Sequence, residues 1–483
     1  MIAVALLASL VAGISSCVFE SPLSPLIVGG GATALVLSLV LLHKPVWALY
    51  AAVFLAFLPS VVGQETQVGR FVDIMQSLLI RSFIILALAA WLLDAVTQRR
   101  RVTWTGTALL MLGFIAWSVI TLSWAPDLGR GFTKLIQYVS RSILFLVLIA
   151  NHIKTQEALD RLMSVLALNG WLLVLAGVGT FVFQGFDLGT RLEVLGMDEN
   201  EFGIKVLITM PGIIWQVLWA PERQKALRMV LSVVFLVLAL VLVALTGSRG
   251  TSISWLATLM AFGLWKSTRP WGKLGLLILA VAVICAPFML SNVVHRFTAN
   301  AGGPLGGRLT IWQASLLIVH DHPWGGVGIG NAGSVLSSYL NRIASRWRDW
   351  EEMVSHNPIL QIWIETGIPG LLLYLGALLS AIWQFFRQYR RYLGTGTRSF
   401  ASYFALVTCT FVGIMLWWIK GGAAAYDPSY FLLLAFLLIP SHLNIQGTDR
   451  VIESHIQEPK SDGQWSGAVV PRQNRHRDQP KQQ

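Results

Sequence analysis

Apolar stretches of about 17–25 residues recur along almost the whole chain, each long enough to cross a hydrocarbon core as a helix. The runs are too long and too unalternating for barrel strands, which leaves helices as the spanning element. Hydropathy predicts about fourteen spans, give or take two, centred near residues 10, 33, 53, 86, 114, 144, 171, 211, 237, 258, 281, 370, 409 and 434. The expected fold is an all-α integral membrane protein, a polytopic bundle of about 12–14 transmembrane helices with one large helical loop on the outward side.

The polar connections set the sidedness. Gln98-Arg99-Arg100-Arg101 follows the fourth span, and Lys154 and Arg161 precede the seventh. Arg223, Lys225 and Arg228 follow the eighth, Lys266, Arg269 and Lys273 the tenth, and Arg387, Arg390 and Arg391 the twelfth. Simple alternation puts all these basic loops on one side. Short basic loops stay in the cytoplasm, so both termini are expected there. The first run, Ile2 to Phe19, has no basic leader and reads as a retained span, with a signal peptide as the alternative.

Three outward connections are unusual. Gly185 to Glu201 carries Arg191 and the acidic run Met197-Asp198-Glu199-Asn200-Glu201; Thr246-Gly247-Ser248-Arg249-Gly250 joins two spans with almost no slack. Residues 291–358 form a loop long enough to carry function and structure of its own. Within it Leu309, Trp312, Leu316 and Leu317 recur at near-helical spacing, which predicts a helix lying at the membrane interface. Residues 1–442 read as one membrane domain, and 443–483, polar and rich in Gln, Pro and mixed charge, as a disordered cytoplasmic tail.

Composition agrees: 55% hydrophobic residues, 12% charged and a mean hydropathy of +0.64 describe a membrane protein. The net charge of +12 comes largely from orienting loops and is no nucleic-acid signature. Cys17, Cys285 and Cys409 lie in or beside apolar runs without metal spacing. His320-Asp321-His322 lacks third and fourth ligands for a metal. Gly326-Val327-Gly328-Ile329-Gly330-Asn331 resembles a nucleotide fingerprint but lacks the strand–turn–helix unit that one needs.

The candidate chemistry gathers on the outward side. Arg249, between Gly247 and Gly250, does not serve hydrophobic stability. Its turn permits close approach by an anion, and the following helix, starting with Thr251 and Ser252, presents free N–H groups. The alternative is an arginine snorkelling to lipid phosphate. Arg308, in a glycine-rich approach to the interfacial helix, and Arg191 gain interest from sharing that side. His356, in Ser355-His356-Asn357-Pro358, is the side chain best able to accept a proton near neutral pH, and guanidinium neighbours keep an imidazole neutral. His295, His320 and His322 compete with it; Glu365, about two turns into the next helix, is an alternative base or orienting partner. Arg81, Arg141 and Lys205 lie in or near spans, where they cap span ends, bind head groups or act.

Several motifs together resemble the O-antigen ligase and polysaccharide polymerase superfamily. They are Thr246-Gly247-Ser248-Arg249-Gly250, Gly307-Arg308-Leu309 through Trp312, His322-Pro323-Trp324-Gly325-Gly326-Val327-Gly328-Ile329-Gly330-Asn331, His356-Asn357-Pro358-Ile359-Leu360-Gln361, and Glu365-Thr366-Gly367-Ile368-Pro369-Gly370-Leu371. The resemblance spans roughly residues 180–385. It implies a GT-C-like glycosyltransferase without metal or cofactor at the outer face of the bacterial inner membrane. The donor would be an undecaprenyl diphosphate-linked glycan; the acceptor would be lipid A core in a ligase or a lipid-linked repeat in a polymerase. Membrane lipids and polysaccharide-assembly proteins are further expected partners. Carried over by position, Arg191 and Arg249 would hold the diphosphate and His356 would be the base, with Arg308, Asn357, Glu365 and Ser248 at the substrate. A competing reading is a transporter or flippase for a lipid-linked sugar or small anion. Such proteins tend to place charges near the bilayer midplane in repeated halves, whereas these candidates share one rim.

Overall fold

The computed structural model describes residues 45–57, 67–97, 104–183, 192–195, 197, 199–289, 308–343, 354–393, 398–421 and 424–441. The first two expected spans, Arg191, His295 and the tail 443–483 lie outside the described residues. The protein is an all-α, multi-pass membrane protein. Among the described residues, eight helices are long and apolar enough to cross a membrane, and the one departure toward β structure is a bridge between Val194 and Met197.

The helices, in chain order, are α1 Pro45–Phe57, α2 Gln67–Thr97, α3 Gly106–Thr121, α4 Leu128–Arg141, α5 Gln156–Phe183, α6 Glu199–Leu218, α7 Glu222–Thr246, α8 Arg249–Leu264, α9 Arg269–Met289, α10 Arg308–Asp321, α11 Ala332–Ile343, α12 Pro358–Leu393, α13 Arg398–Gly421 and α14 Pro428–Leu438. Helix α4 runs on through a π-helical segment, Ser142–Ile149, so that one continuous span covers Leu128–His152. The long loop 291–358 is helical in much of its described part: α10 and α11 pack on each other, and α10 packs on α12.

Helix α10 lies where the apolar spacing predicts a helix, but its inner face is a different stripe. Ile311, Ala314, Ser315, Ile318 and Val319 are buried, while Leu309, Leu316 and Leu317 are exposed. An apolar residue set on the open side of a helix suits contact with lipid at an interface.

Helix α12 is broken one third of the way along. Gly367 has φ +66°, ψ −169°, and Pro369 follows it. Proline has no N–H for the carbonyl four residues earlier, so the Glu365 carbonyl is orphaned. The segment 323–328 repairs the break. Gly328 N–H donates to Glu365 O at 3.0 Å, Val327 N–H to Ile364 O at 2.8 Å, and Ile368 N–H to Pro323 O at 2.9 Å. Trp117 on α3 donates its indole N–H to Thr366 O at 2.7 Å. The glycine-rich segment is therefore a docking loop for a broken helix, and that role accounts for its glycines without a nucleotide.

The same loop clamps the start of α4. Asn331, fully buried, accepts from Asp127 N–H at 2.8 Å through Oδ1 and donates through Nδ2 to Asp127 O at 3.1 Å and Ile329 O at 3.0 Å. Asp127 in turn caps α4, accepting from Arg130 N–H at 3.0 Å. Asn331→Ala leaves these groups without their partner, at a cost of about 1–3 kcal/mol. The expected result is a lower Tm of the purified protein in detergent; an unchanged Tm would show that the clamp is not holding.

Candidate active site

Two clusters of the expected residues emerge. The first is the turn between α7 and α8. Gly247, at φ +65°, closes α7 with its N–H on Ala244 O, and Ser248 starts α8 as its N-cap. Ser248 Oγ accepts from Thr251 N–H at 3.2 Å and donates to Asn200 Oδ1 at 2.6 Å. Arg249 is thus the first residue of α8, two residues earlier than the sequence suggests, because Ser248 rather than Arg249 provides the cap. Leu192 N–H bonds Leu245 O at 3.3 Å, which ties the residue after Arg191 to the end of α7. Arg191 itself lies outside the described residues.

Asn200 and Glu201 open α6, whose Lys205 is buried and ion-paired with Glu201 at 2.6 Å. Lys205 is thereby engaged within its own helix.

The second cluster surrounds His356. This residue adopts φ +50°, a left-handed conformation that costs a non-glycine residue of order 1–3 kcal/mol. Its neighbours hold it there. Trp312 on α10 donates to Ser355 O at 3.1 Å, Ser355 N–H donates to Gln361 Oε1 at 3.1 Å, and Ser355 Oγ donates to Asn357 O at 2.8 Å. Asn357 is the N-cap of α12, its Oδ1 accepting from Ile359 N–H at 2.9 Å and Leu360 N–H at 3.2 Å. Burial lowers the pKa of His356 below the ordinary histidine value, and the nearby Arg308 guanidinium lowers it further. The imidazole therefore stays neutral, and able to accept a proton, at neutral pH.

Glu365 is 4% exposed and held from several directions. Gln361 Nε2 donates to its Oε1 at 2.6 Å, and the backbone N–H groups of Gly330 and Ala332 reach it as well. Gln361 thus links the His356 turn to Glu365 through its two side-chain ends.

Glu365 and Gln361 also line a cavity of about 510 Å³ whose opposite wall is α4, with Arg130, Thr133 and Lys134, and whose end is Tyr426. Lys134 Nζ sits 3.5 Å from the centre of the Tyr426 ring. Arg130 pairs with Asp127 at 3.1 Å. The docking loop fixes this wall: a Cβ added to Gly330 would lie 2.8 Å from both Arg130 O and Lys134 Cγ, so only glycine lets α4 come this close. Sequence reasoning passed over Arg130, Lys134 and Tyr426. The available signal was a pair of cations four residues apart in a short connection between two expected spans.

Residues 234–375 match the model of the O-Antigen ligase family. That segment is similar to the O-antigen ligase family, in agreement with the superfamily that the motifs resemble. The matched segment contains Ser248, Arg249, Arg308, His356, Asn357 and Glu365; Arg130, Lys134, Arg191 and Tyr426 fall outside it. No curated protein matches the chain.

Proposed function

We propose that the protein is an inverting glycosyltransferase of ligase type, which moves a glycan from undecaprenyl diphosphate to a hydroxyl of lipid A core at the periplasmic face of the inner membrane. The observation that carries this reading is a half-buried His356 whose imidazole is kept neutral by burial and by the charge of Arg308, both within the segment similar to the ligase family. In the single displacement the acceptor oxygen attacks the anomeric carbon as its proton passes to the His356 imidazole. The bond from that carbon to the diphosphate oxygen breaks, and its electron pair leaves with the lipid diphosphate.

A glycosyl diphosphate already carries a good leaving group, so the main demand is to stabilise the negative charge growing on it. Arg249, Arg308 and Arg191 would supply that stabilisation, since a planar guanidinium pairs two oxygens at once. The start of α8 adds its N–H dipoles beside Arg249. One base and two or three arginines make a sufficient set without a divalent cation. Ser248 and Asn357 act by capping α8 and α12, which positions Arg249 and His356. Glu365 acts through Gln361 on the turn that carries the histidine.

The test is transfer by the purified protein in liposomes with a chelator present, given the lipid-linked donor and either lipid A core or a second lipid-linked glycan. Transfer to lipid A core with inversion is expected. Elongation of the lipid-linked glycan instead would make the protein a polymerase, and a covalent glycosyl–protein intermediate would exclude the single displacement. In Arg308→Ala the imidazole loses a repelling cation and its pKa rises toward the ordinary value. The acid limb of kcat/KM then moves to higher pH, and overall transfer falls. An unmoved limb would separate Arg308 from the base.

A further inference from the structure

The cavity between α4, the docking loop and Tyr426 shares Gln361 and Glu365 with the His356 cluster, and the reading above gives the space itself no ligand. Its charges balance, with two cations, Arg130 and Lys134, against two acids, Asp127 and Glu365. A diphosphate would need a net positive wall, so this composition argues against a second phosphate site. What the cavity offers is an aromatic ring that already carries the Lys134 ammonium, a side-chain amide, and both donors and acceptors around a space within the usual size range of ligand pockets, roughly 300–1,000 Å³. A pyranose has the matching surface, with hydroxyls that both donate and accept.

Position decides which sugar. Gln361 lines the cavity and its Oε1 takes Ser355 N–H, so this wall is one residue from the imidazole that would deprotonate the acceptor. Val354, two residues before His356, lines the cavity as well. We infer that this cavity is the subsite for an uncharged pyranose of the acceptor glycan, bounded by Tyr426 and hydrogen-bonded by Lys134, Thr133 and Gln361. The inference rests on the transferase reading above, which it deepens by assigning the acceptor's place. Lys134 and Tyr426 then determine acceptor affinity, and the matched segment alone does not contain the whole substrate site.

The experiment uses the full-length protein in liposomes with Tyr426→Leu, Tyr426→Phe and Lys134→Met. Acceptor KM is expected to rise at least tenfold in Tyr426→Leu and Lys134→Met, with donor KM and Tm near wild type, and to rise less in Tyr426→Phe, which keeps the ring, than in Tyr426→Leu. Calorimetric titration of lipid-free core oligosaccharide into the protein gives a readout independent of turnover, and binding is expected to weaken in the same two variants. Active variants with unchanged acceptor KM, or a rise in donor KM instead, would overturn the subsite. An inactive wild-type protein would defeat the transferase reading; the titration would still decide whether the cavity holds a saccharide, and no difference between wild type and Tyr426→Leu there would overturn it.

Discussion

Replacing His356 with alanine lowers the turnover of glycan transfer by about 10²–10⁴-fold, the range a positioned general base supplies, and leaves donor KM near wild type. The base acts on the acceptor hydroxyl in the transition state, so its loss appears in kcat and not in ground-state binding of the donor. Alanine at φ +50° adds backbone strain that a histidine-specific role does not require. His356→Asn removes that ambiguity, since asparagine tolerates the left-handed region and has no imidazole to take the proton. Both variants are expected to be slow by steady-state measurement, and to lose the acid limb of the pH profile. A wild-type rate in either would pass the base role to another group. Glu365 would be a poor successor, because Gln361 and the Gly330 and Ala332 amides already occupy its oxygens.

Much of the site's layout could be read from residue order. The turn Thr246–Gly250, the helix after Gly307 and the return of the chain at Pro358 stand where hydropathy and loop length predict them. Arg308 and His356 both fall in the stretch 291–358 that hydropathy leaves between two expected spans. What could not be read depends on partners distant in sequence. Asn331 looks like the end of a nucleotide motif until Asp127, 204 residues earlier, is seen to meet its side chain. The break at Gly367 looks like an ordinary glycine–proline kink until the loop 323–328 takes up the freed carbonyls. Arg130 and Lys134 carry no motif at all, and acquire meaning only when Gly330 lets α4 approach the docking loop. Asn357 shows the opposite case, a motif residue whose hydrogen bonds are spent on a helix cap.

The broken helix bears on the transporter alternative. Transporters place broken helices at the bilayer midplane, where unwound carbonyls coordinate a moving ion. In this protein the carbonyls of Ile364, Glu365 and Thr366 are engaged by Val327, Gly328 and Trp117. The break fastens the loop 323–328 to the bundle, and those carbonyls are engaged within the protein. That geometry favours a fixed platform for surface chemistry.

Arg249→Ala is expected to reduce transfer by about 10²–10³-fold, comparable to losing one preorganised donor at a centre of developing charge. The fold should survive, because the cap of α8 comes from the Ser248 side chain and closes on Thr251 whatever follows it. Arg249→Lys restores part of the rate: it returns the charge, but as a point rather than a planar fork that spans two oxygens. The order wild type, lysine, alanine therefore reports geometry as well as charge, with Tm and membrane insertion as controls. A snorkelling arginine that only touches lipid phosphate predicts another order, with lysine equal to arginine and alanine only slightly impaired. Near-normal transfer by Arg249→Ala would remove the turn between α7 and α8 from the diphosphate site and leave Arg308 beside His356 as the anchor of the reaction.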